Sequence, residues 1–255
     1  MRYALISDIH ANLPALEAVL AHIDERRDID ATYHLGDLVG YAPWPNEVVA
    51  LLVERGVSGV AGNYDSTVGL DYKHCGCQYE DPVQAEQAHV SFEWTKAHVT
   101  ASTRELLAGL PFRFDLLPAG GHRPGPRLVL VHGTPTLNTV YWTEDRPDDF
   151  CRKMAAAAGL RAGDAIAFGH THKPWHRVVD EVQFINTGSV GRPKDGDPRA
   201  GYVVVTMEDG AVRLEFVRIE YDVAAAAAAI RRSELPEDFA GYLERGGDTA
   251  ASISR

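Results

Sequence analysis

The 255 residues suffice for one large domain or two small ones with a substantial buried core. Hydrophobic residues make up 45% and charged residues 24%, the balance of a globular chain and not of a disordered one. Acidic side chains outnumber basic ones by 36 to 25, a formal net charge of −11, so binding to polyphosphate backbones or anionic membranes is not expected unless cations invert the charge locally.

Three cysteines, Cys75, Cys77 and Cys151, are too few and too uneven for a disulfide framework, and the chain enters a strand directly at Arg2 with no targeting segment; a reducing cytoplasm is the expected compartment. The longest strongly apolar tract, Val223 to Ile230, has eight residues, far short of a membrane span.

In chain order, residues 2–7 read as a buried strand. Asn12 then caps a helix with Leu13, Leu16, Val19, Leu20 and Ile23 on one face and Pro14 in its first turn. A strand over 30–35, a helix from Asn46 to Arg55 and a strand over 57–61 follow, an alternation that implies a parallel sheet. Residues 64–81 look irregular. A long helix runs from Asp81-Pro82 to about Val99, and Ser102-x-x-Glu105 signals the cap of a short one. Strands are expected over 111–117 and 127–131, around a Gly/Pro-rich turn at 118–126. A helix over 147–158, strands over 164–168, 175–180, 182–187, 200–207 and 211–219, and an alanine-rich helix over 222–232 complete the pattern before a polar tail. No repeat or linker interrupts it. The expectation is a single α/β domain over 1–255, its two sheets face to face and its helices outside.

Five short motifs follow apolar strand-like runs: Asp8-Ile9-His10, Gly36-Asp37-Leu38-Val39-Gly40, Gly62-Asn63-Tyr64-Asp65, Val131-His132-Gly133 and Gly169-His170-Thr171-His172. Open α/β sheets place their sites at such strand ends. Any one histidine among them is more often a surface or core residue than a ligand; the company reverses that. Asp8, His10, Asp37, Asn63, His132, His170 and His172 are of types able to hold two divalent ions if one carboxylate bridges them. Nitrogen and oxygen donors without thiolate suit manganese, or iron or zinc. Such a pair activates a bridging hydroxide against phosphorus.

Together the five motifs resemble the calcineurin-like metallophosphoesterase superfamily, over residues 8–172. Ser7 to Leu13, Gly40-Tyr41-Ala42-Pro43 and Asn186-Thr187-Gly188-Ser189-Val190-Gly191 resemble its bacterial phosphodiesterase-like branch. The resemblance implies a four-layer α/β/β/α sandwich. By position it implies that Asp8, His10, Asp37 and His172 hold one ion and Asp37, Asn63, His132 and His170 the other. Many members carry a histidine where this chain has Tyr64, thought to protonate the leaving group with the following acid, here Asp65, steadying it. A phenol is a poorer proton donor at neutral pH. Phosphoprotein phosphatases of the superfamily follow the bridging aspartate with an Asp-Arg pair; Gly36-Asp37-Leu38-Val39-Gly40-Tyr41 has neither. The expected activity is therefore hydrolysis of a small phosphodiester or nucleotide-like substrate. A protein-binding scaffold that has lost catalysis is the alternative, and a phosphoprotein phosphatase the third. Self-association stays open.

Asn12, His74 and Arg192 are candidate substrate contacts. His74 is a candidate replacement acid, although His74-Cys75-Gly76-Cys77 also reads as a plain loop with packing thiols. Arg192, Lys194 and Arg199 could flank a phosphate, but Asp195 and Asp197 between them make a solvated turn as plausible.

Overall fold

A computed structural model describes residues 1–77, 81–117, 125–208 and 210–247. The first sheet is built on β1 (Arg2–Ile6), which pairs in parallel with β2 (Ala31–His34), itself parallel to β3 (Ser58–Gly59). The helices α1 (Leu13–Glu25) and α2 (Pro45–Glu54) make the crossovers. Asn12 caps α1 as its sequence predicts, its side chain accepting from the Ala15 N–H at 3.3 Å. The second sheet orders its strands β4-β5-β6-β8-β7: β4 (Phe114–Leu116), β5 (Leu128–Leu130), β6 (Ala165–Phe168), β8 (Val182–Asn186) and β7 (Trp175–Val179). There β5, β6 and β8 run parallel, with an antiparallel strand on either side.

Strand periodicity explains why the sheets stack. Successive side chains alternate faces, and β1 is apolar on both. Tyr3 and Leu5 join Leu130, Ala167 and Ile185 of the second sheet in the core between the sheets. Ala4 and Ile6 face outward and pack with Leu16, Val19 and Leu20 of α1 and Val48, Val49 and Leu52 of α2. On the far side, Cys151 and Ala158 of α6 (Asp148–Ala158) cover Val129, Ile166 and Phe184. These are four layers, helix–sheet–sheet–helix, as the family resemblance implies.

Several local expectations change. Strands β9 (Ala200–Glu208) and β10 (Ala211–Ile219) do not join the second sheet with β7 and β8, the strands that precede them in the chain. The pair docks on the free edge of β1, so the first sheet runs β10-β9-β1-β2-β3. Its valines are apolar on both faces and suit an interior strand, which pairwise order along the chain does not reveal. Residues 64–69, expected to be irregular, lie in α3 (Asn63–Gly69): the Asp65 carboxylate accepts the Gly62 N–H and the burial of Tyr64 and Val68 outweighs a poor helical composition. After α4 (Pro82–His98), the cap of α5 (Ala101–Ala108) is Thr100, accepting the Thr103 N–H; Ser102 lies inside the helix. Beyond α7 (Val223–Arg232), the tail forms a further helix, α8 (Asp238–Glu244), because Phe239, Ala240 and Leu243 find apolar surface. Most of the turn at 118–126, His122, Asp209 and residues 248–255 lie outside the described residues.

Leu5 is wholly buried between the sheets, whereas Val53 on α2 is 58% exposed. Leu5→Ala should lower the unfolding free energy by about 2–5 kcal/mol, and Val53→Ala by less than about 0.5 kcal/mol, in urea titrations followed by circular dichroism.

Candidate metal centre

Every motif residue of the cluster sits just beyond the carboxyl end of a parallel strand: Asp8 and His10 after β1, Asp37 after β2, Asn63 after β3, His132 after β5, His170 and His172 after β6. Stacking the sheets brings these ends together. The turns are tightly interlocked. The Asp8 N–H donates to Gly36 O at 3.0 Å and the His10 N–H to Asp37 O at 3.0 Å. Ser189 Oγ donates to Asp8 O at 2.7 Å. Asn186 donates to both Gly169 O and Thr171 Oγ1 at 2.9 Å, fixing the turn that carries the paired histidines. A side chain at Gly169 would strike Ser7 Oγ and Asp8 Oδ2, and one at Gly62 would strike Asp37, so both positions need glycine for close approach. Asp8, His10, Asp37, His170 and His172 all adopt left-handed backbone conformations, with φ between 49° and 65°. Each such residue costs about 1–3 kcal/mol and persists only where its surroundings over-determine it.

The side chains form two groups, Asp8–His10–His172 and Asp37–His132–His170, all buried. His10 Nδ1–H donates to Val39 O at 3.1 Å, His172 Nδ1–H to Arg192 O at 2.5 Å, and His132 Nδ1–H to Leu35 O at 2.8 Å. A carbonyl can only accept, so these bonds fix the tautomers and leave each Nε2 pointing into the cluster. His170 presents Nδ1 instead, 3.2 Å from His132 Nε2, with its ring stacked on Tyr141 at 4.4 Å. Asp37 joins the groups. Its Oδ1 accepts the Tyr64 N–H at 2.9 Å, which turns Oδ2 toward His10 Nε2 at 3.7 Å and His132 Nε2 at 3.4 Å.

Cations fit this arrangement. His10 Nε2 and His172 Nε2 stand 3.2 Å apart, and burial drives both imidazoles well below their usual basicity, His10 to about 3. Two bare lone pairs therefore face each other. Asp8 Oδ1, 3.3 Å from His172 Nε2, is buried with no hydrogen-bond partner among the described residues, although Oδ2 takes the Ser7 hydroxyl and the His170 N–H. Such convergence of unpaired acceptors is costly without a positive centre among them. Burial, with Asp37 adding, lifts the Asp8 carboxyl to about 7. In the other group burial opposes charge, but Asp37 and His132 face each other and prevail: His132 rises to about 9 and Asp37 falls well below the usual carboxylate range.

Asn63 belongs to the second group. Its Oδ1 lies 3.1 Å from His132 Nε2, and its amide donates to Cys75 O and Cys77 Sγ, each at 3.1 Å. Four other expectations change. Asp65 spends both oxygens on backbone, accepting from Leu38 N–H at 2.8 Å and Gly62 N–H at 2.9 Å; it clasps two loops and has no oxygen left for chemistry. Tyr64 is 1% exposed among Tyr41 and Phe92, and its hydroxyl donates to Ala88 O at 3.3 Å, so the phenol is a core residue and not a proton donor aimed at the cluster. Asn12 divides its amide among the cap of α1, Gly191 O at 2.9 Å and Tyr221 Oη at 3.1 Å, which leaves it a fastener and not a substrate contact. His74 is exposed and makes no hydrogen bond or ion pair among the described residues, while Cys75 and Cys77 turn toward Asn63. Arg192 does lie at the cluster's edge, its guanidinium 4.0 Å over the Tyr41 ring, which meets His10 edge-on at 4.9 Å. Tyr141 carries no motif signal and emerges only from the fold.

The profile of the calcineurin-like phosphoesterase superfamily domain matches residues 1–210. An uncharacterized protein of Methanocaldococcus jannaschii is 31% identical over 255 residues, an alignment covering 92% of this chain and 93% of that protein. A metallophosphoesterase from Sphaerobacter thermophilus is 31% identical, with a TM-score of 0.73 over 96% of this chain and 99% of its own. A hypothetical protein from Pyrococcus horikoshii has the same fold, with a TM-score of 0.80 over 98% of this chain and 99% of its own at 22% identity.

Because His132 holds a proton up to about pH 9, a cation entering the second group must expel it. The apparent affinity of the second group for manganese should weaken about tenfold for each pH unit from about 9 down to about 7 and level off above about 9. Calorimetry in buffers of different ionisation enthalpy should show about one proton fewer released by His132→Gln than by the parent at pH 7.5.

Proposed function

The chain belongs to the calcineurin-like phosphoesterase superfamily, and from that membership we propose a dinuclear, manganese-dependent phosphodiesterase acting on small phosphodiester or nucleotide-like substrates. The observation that carries this is Asp37, whose Oδ2 faces one imidazole of each group. Asp8, His10 and His172 with Asp37 would hold one cation; Asp37 with Asn63, His132 and His170 would hold the other. All donors in this set are nitrogen or oxygen, which favours manganese over thiophilic ions. Bound there, such cations supply Lewis acidity that offsets charge on phosphoryl oxygens and makes water nucleophilic at neutral pH.

The chain's own residues do the positioning. Carbonyls of Leu35, Val39 and Arg192 orient three imidazoles, and the Tyr64 N–H orients Asp37. Asp65 ties the Gly62 turn to the Leu38 loop, which sets the distance between Asn63 and Asp37. Burial of the whole set excludes bulk water and keeps His10, His170 and His172 neutral, the form that ligates, whereas His132 must first give up its proton. The segment Leu38-Val39-Gly40-Tyr41 after Asp37 carries neither the acid nor the arginine that a phosphoprotein phosphatase would use to grip phosphate. The Tyr64 hydroxyl is committed to Ala88, so position 64 offers no proton to a departing alkoxide.

Asp37→Asn should cut turnover of bis-nitrophenyl phosphate by at least about 10³-fold, and His10→Ala by about 10–100-fold, because the first residue serves both cations. Elemental analysis of manganese-loaded protein should give two ions per chain, and retention of parental activity by Asp37→Asn would exclude a shared carboxylate. Turnover should fall steeply as leaving-group pKa rises, since a positioned acid is worth about 10²–10⁴-fold to an alkoxide. Tyr64→Phe should keep that slope while losing about 0.5–1.5 kcal/mol of stability. No turnover of any ester by fully loaded protein would favour a binding role.

A further inference from the structure

Arg192 and Lys194 stand on the loop after β8, beside the Asp8–His10–His172 group. Arg192 O takes the His172 Nδ1–H, and the Lys194 N–H donates to His172 O at 3.3 Å. Both side chains are half-buried, and among the described residues neither makes a hydrogen bond or an ion pair. That is unusual in a chain with eleven more acids than bases, and the same loop shows the contrast. Asp197 is taken by Arg199 at 2.7 Å, and Asp195 pairs with Arg218, so the two acids nearest in sequence neutralise neither cation. The turn is therefore not the self-compensated one its alternating charges suggest.

Arg192 is held in place without a carboxylate. Three rings surround the Arg192 guanidinium: Tyr41 at 4.0 Å, and Phe239 and Tyr242 of α8 at 5.6 and 5.9 Å. The end of the described tail backs the loop, Gly246 O accepting the Gly196 N–H at 3.0 Å. The loop that carries both is tied to His172 through Arg192 O and the Lys194 N–H, which places the two residues beside the cluster. Yet neither forms an ion pair with Asp8 or Asp37. Adjacent like charges, half-buried and unpaired, are unfavourable unless an anion joins them.

We propose that Arg192 and Lys194 form an anion subsite for a second phosphate of the substrate, which makes pyrophosphate-linked, nucleotide-type diesters preferred over esters of a single phosphate. This rests on the phosphodiesterase reading above. A phosphoryl group held in the ligand cluster lies among Asp8, Asp37 and the imidazoles. The cations, set back from both carboxylates, face the next anionic group along the substrate. Lysine and arginine there also make phosphate binding compatible with a net charge of −11.

The test compares methylenediphosphonate with methylphosphonate on manganese-loaded protein by calorimetry, and nitrophenyl esters of a nucleoside diphosphate and monophosphate by kcat/KM. The diphosphonate and the diphosphate ester should each be favoured by at least about 10-fold. Lys194→Gln and Arg192→Gln should each reduce that preference to less than about 3-fold, with Lys194→Arg retaining it. Chelation of manganese by free diphosphonate is common to all variants and cancels in the comparison, and thermal melts identify any variant that fails to fold. Equal binding of the two phosphonates by the parent, or equal weakening of both by Lys194→Gln, would overturn the subsite. A diphosphonate preference that depends on Lys194 without turnover of either ester would keep the subsite and remove the diesterase reading.

Discussion

Two imidazole nitrogens with their lone pairs facing across 3.2 Å, beside a carboxylate oxygen without a hydrogen-bond partner among the described residues, set the constraint on which the rest of the structure depends. Backbone carbonyls hold the far nitrogens of His10 and His172, so the rings cannot turn away. Burial keeps them neutral, so the rings themselves take up no proton near neutral pH. The second group relieves the same tension by trapping a proton on His132 against Asp37. One half of the centre is thus an empty-handed set of acceptors and the other a buried ion pair. A cation answers both, and this is the chemistry on which a metallophosphoesterase runs.

The scaffold exists to hold that arrangement. Left-handed backbone at Asp8, His10, Asp37, His170 and His172 is unfavourable locally, and the cost is offset by the apolar layers on either side of the sheets. Leu5 between the sheets and Ile6 beneath α1 belong to the same short strand that ends at Asp8, so core packing and site geometry share residues. Close backbone approach at Gly62 and Gly169 then locks one turn to the next.

Charge is organised by the same logic. Most arginines lie on the surface in ion pairs worth little each, such as Arg26 with Glu215 and Arg231 with Glu244. Arg192 and Lys194 depart from this pattern where the carboxyl-terminal helices meet the centre. The alanine-rich α7 and the short α8 carry no ligand, yet Phe239 and Tyr242 of α8 hold Arg192 at the site's edge. Helix α8 is thereby packed against the edge of a centre whose motifs end at residue 172.

Periodicity and motif order alone made the strands, most of the helices and the seven ligand-type residues legible, because alternating burial and strand-end placement are local properties. The Asn12 cap was equally plain. Side-chain direction was not local. Tyr64 follows Asn63 in a motif where a histidine often stands, but only packing against Phe92 and Ala88 decides that its hydroxyl faces the core. Asp65 and Asn12 look reactive in sequence and prove to be fasteners, since their partners Leu38 and Gly191 are distant along the chain. The same holds for the loop at 192–199. Its alternating charges fix composition, while tertiary contacts decide that Arg199 and Arg218 consume the acids and leave Arg192 and Lys194 to the site.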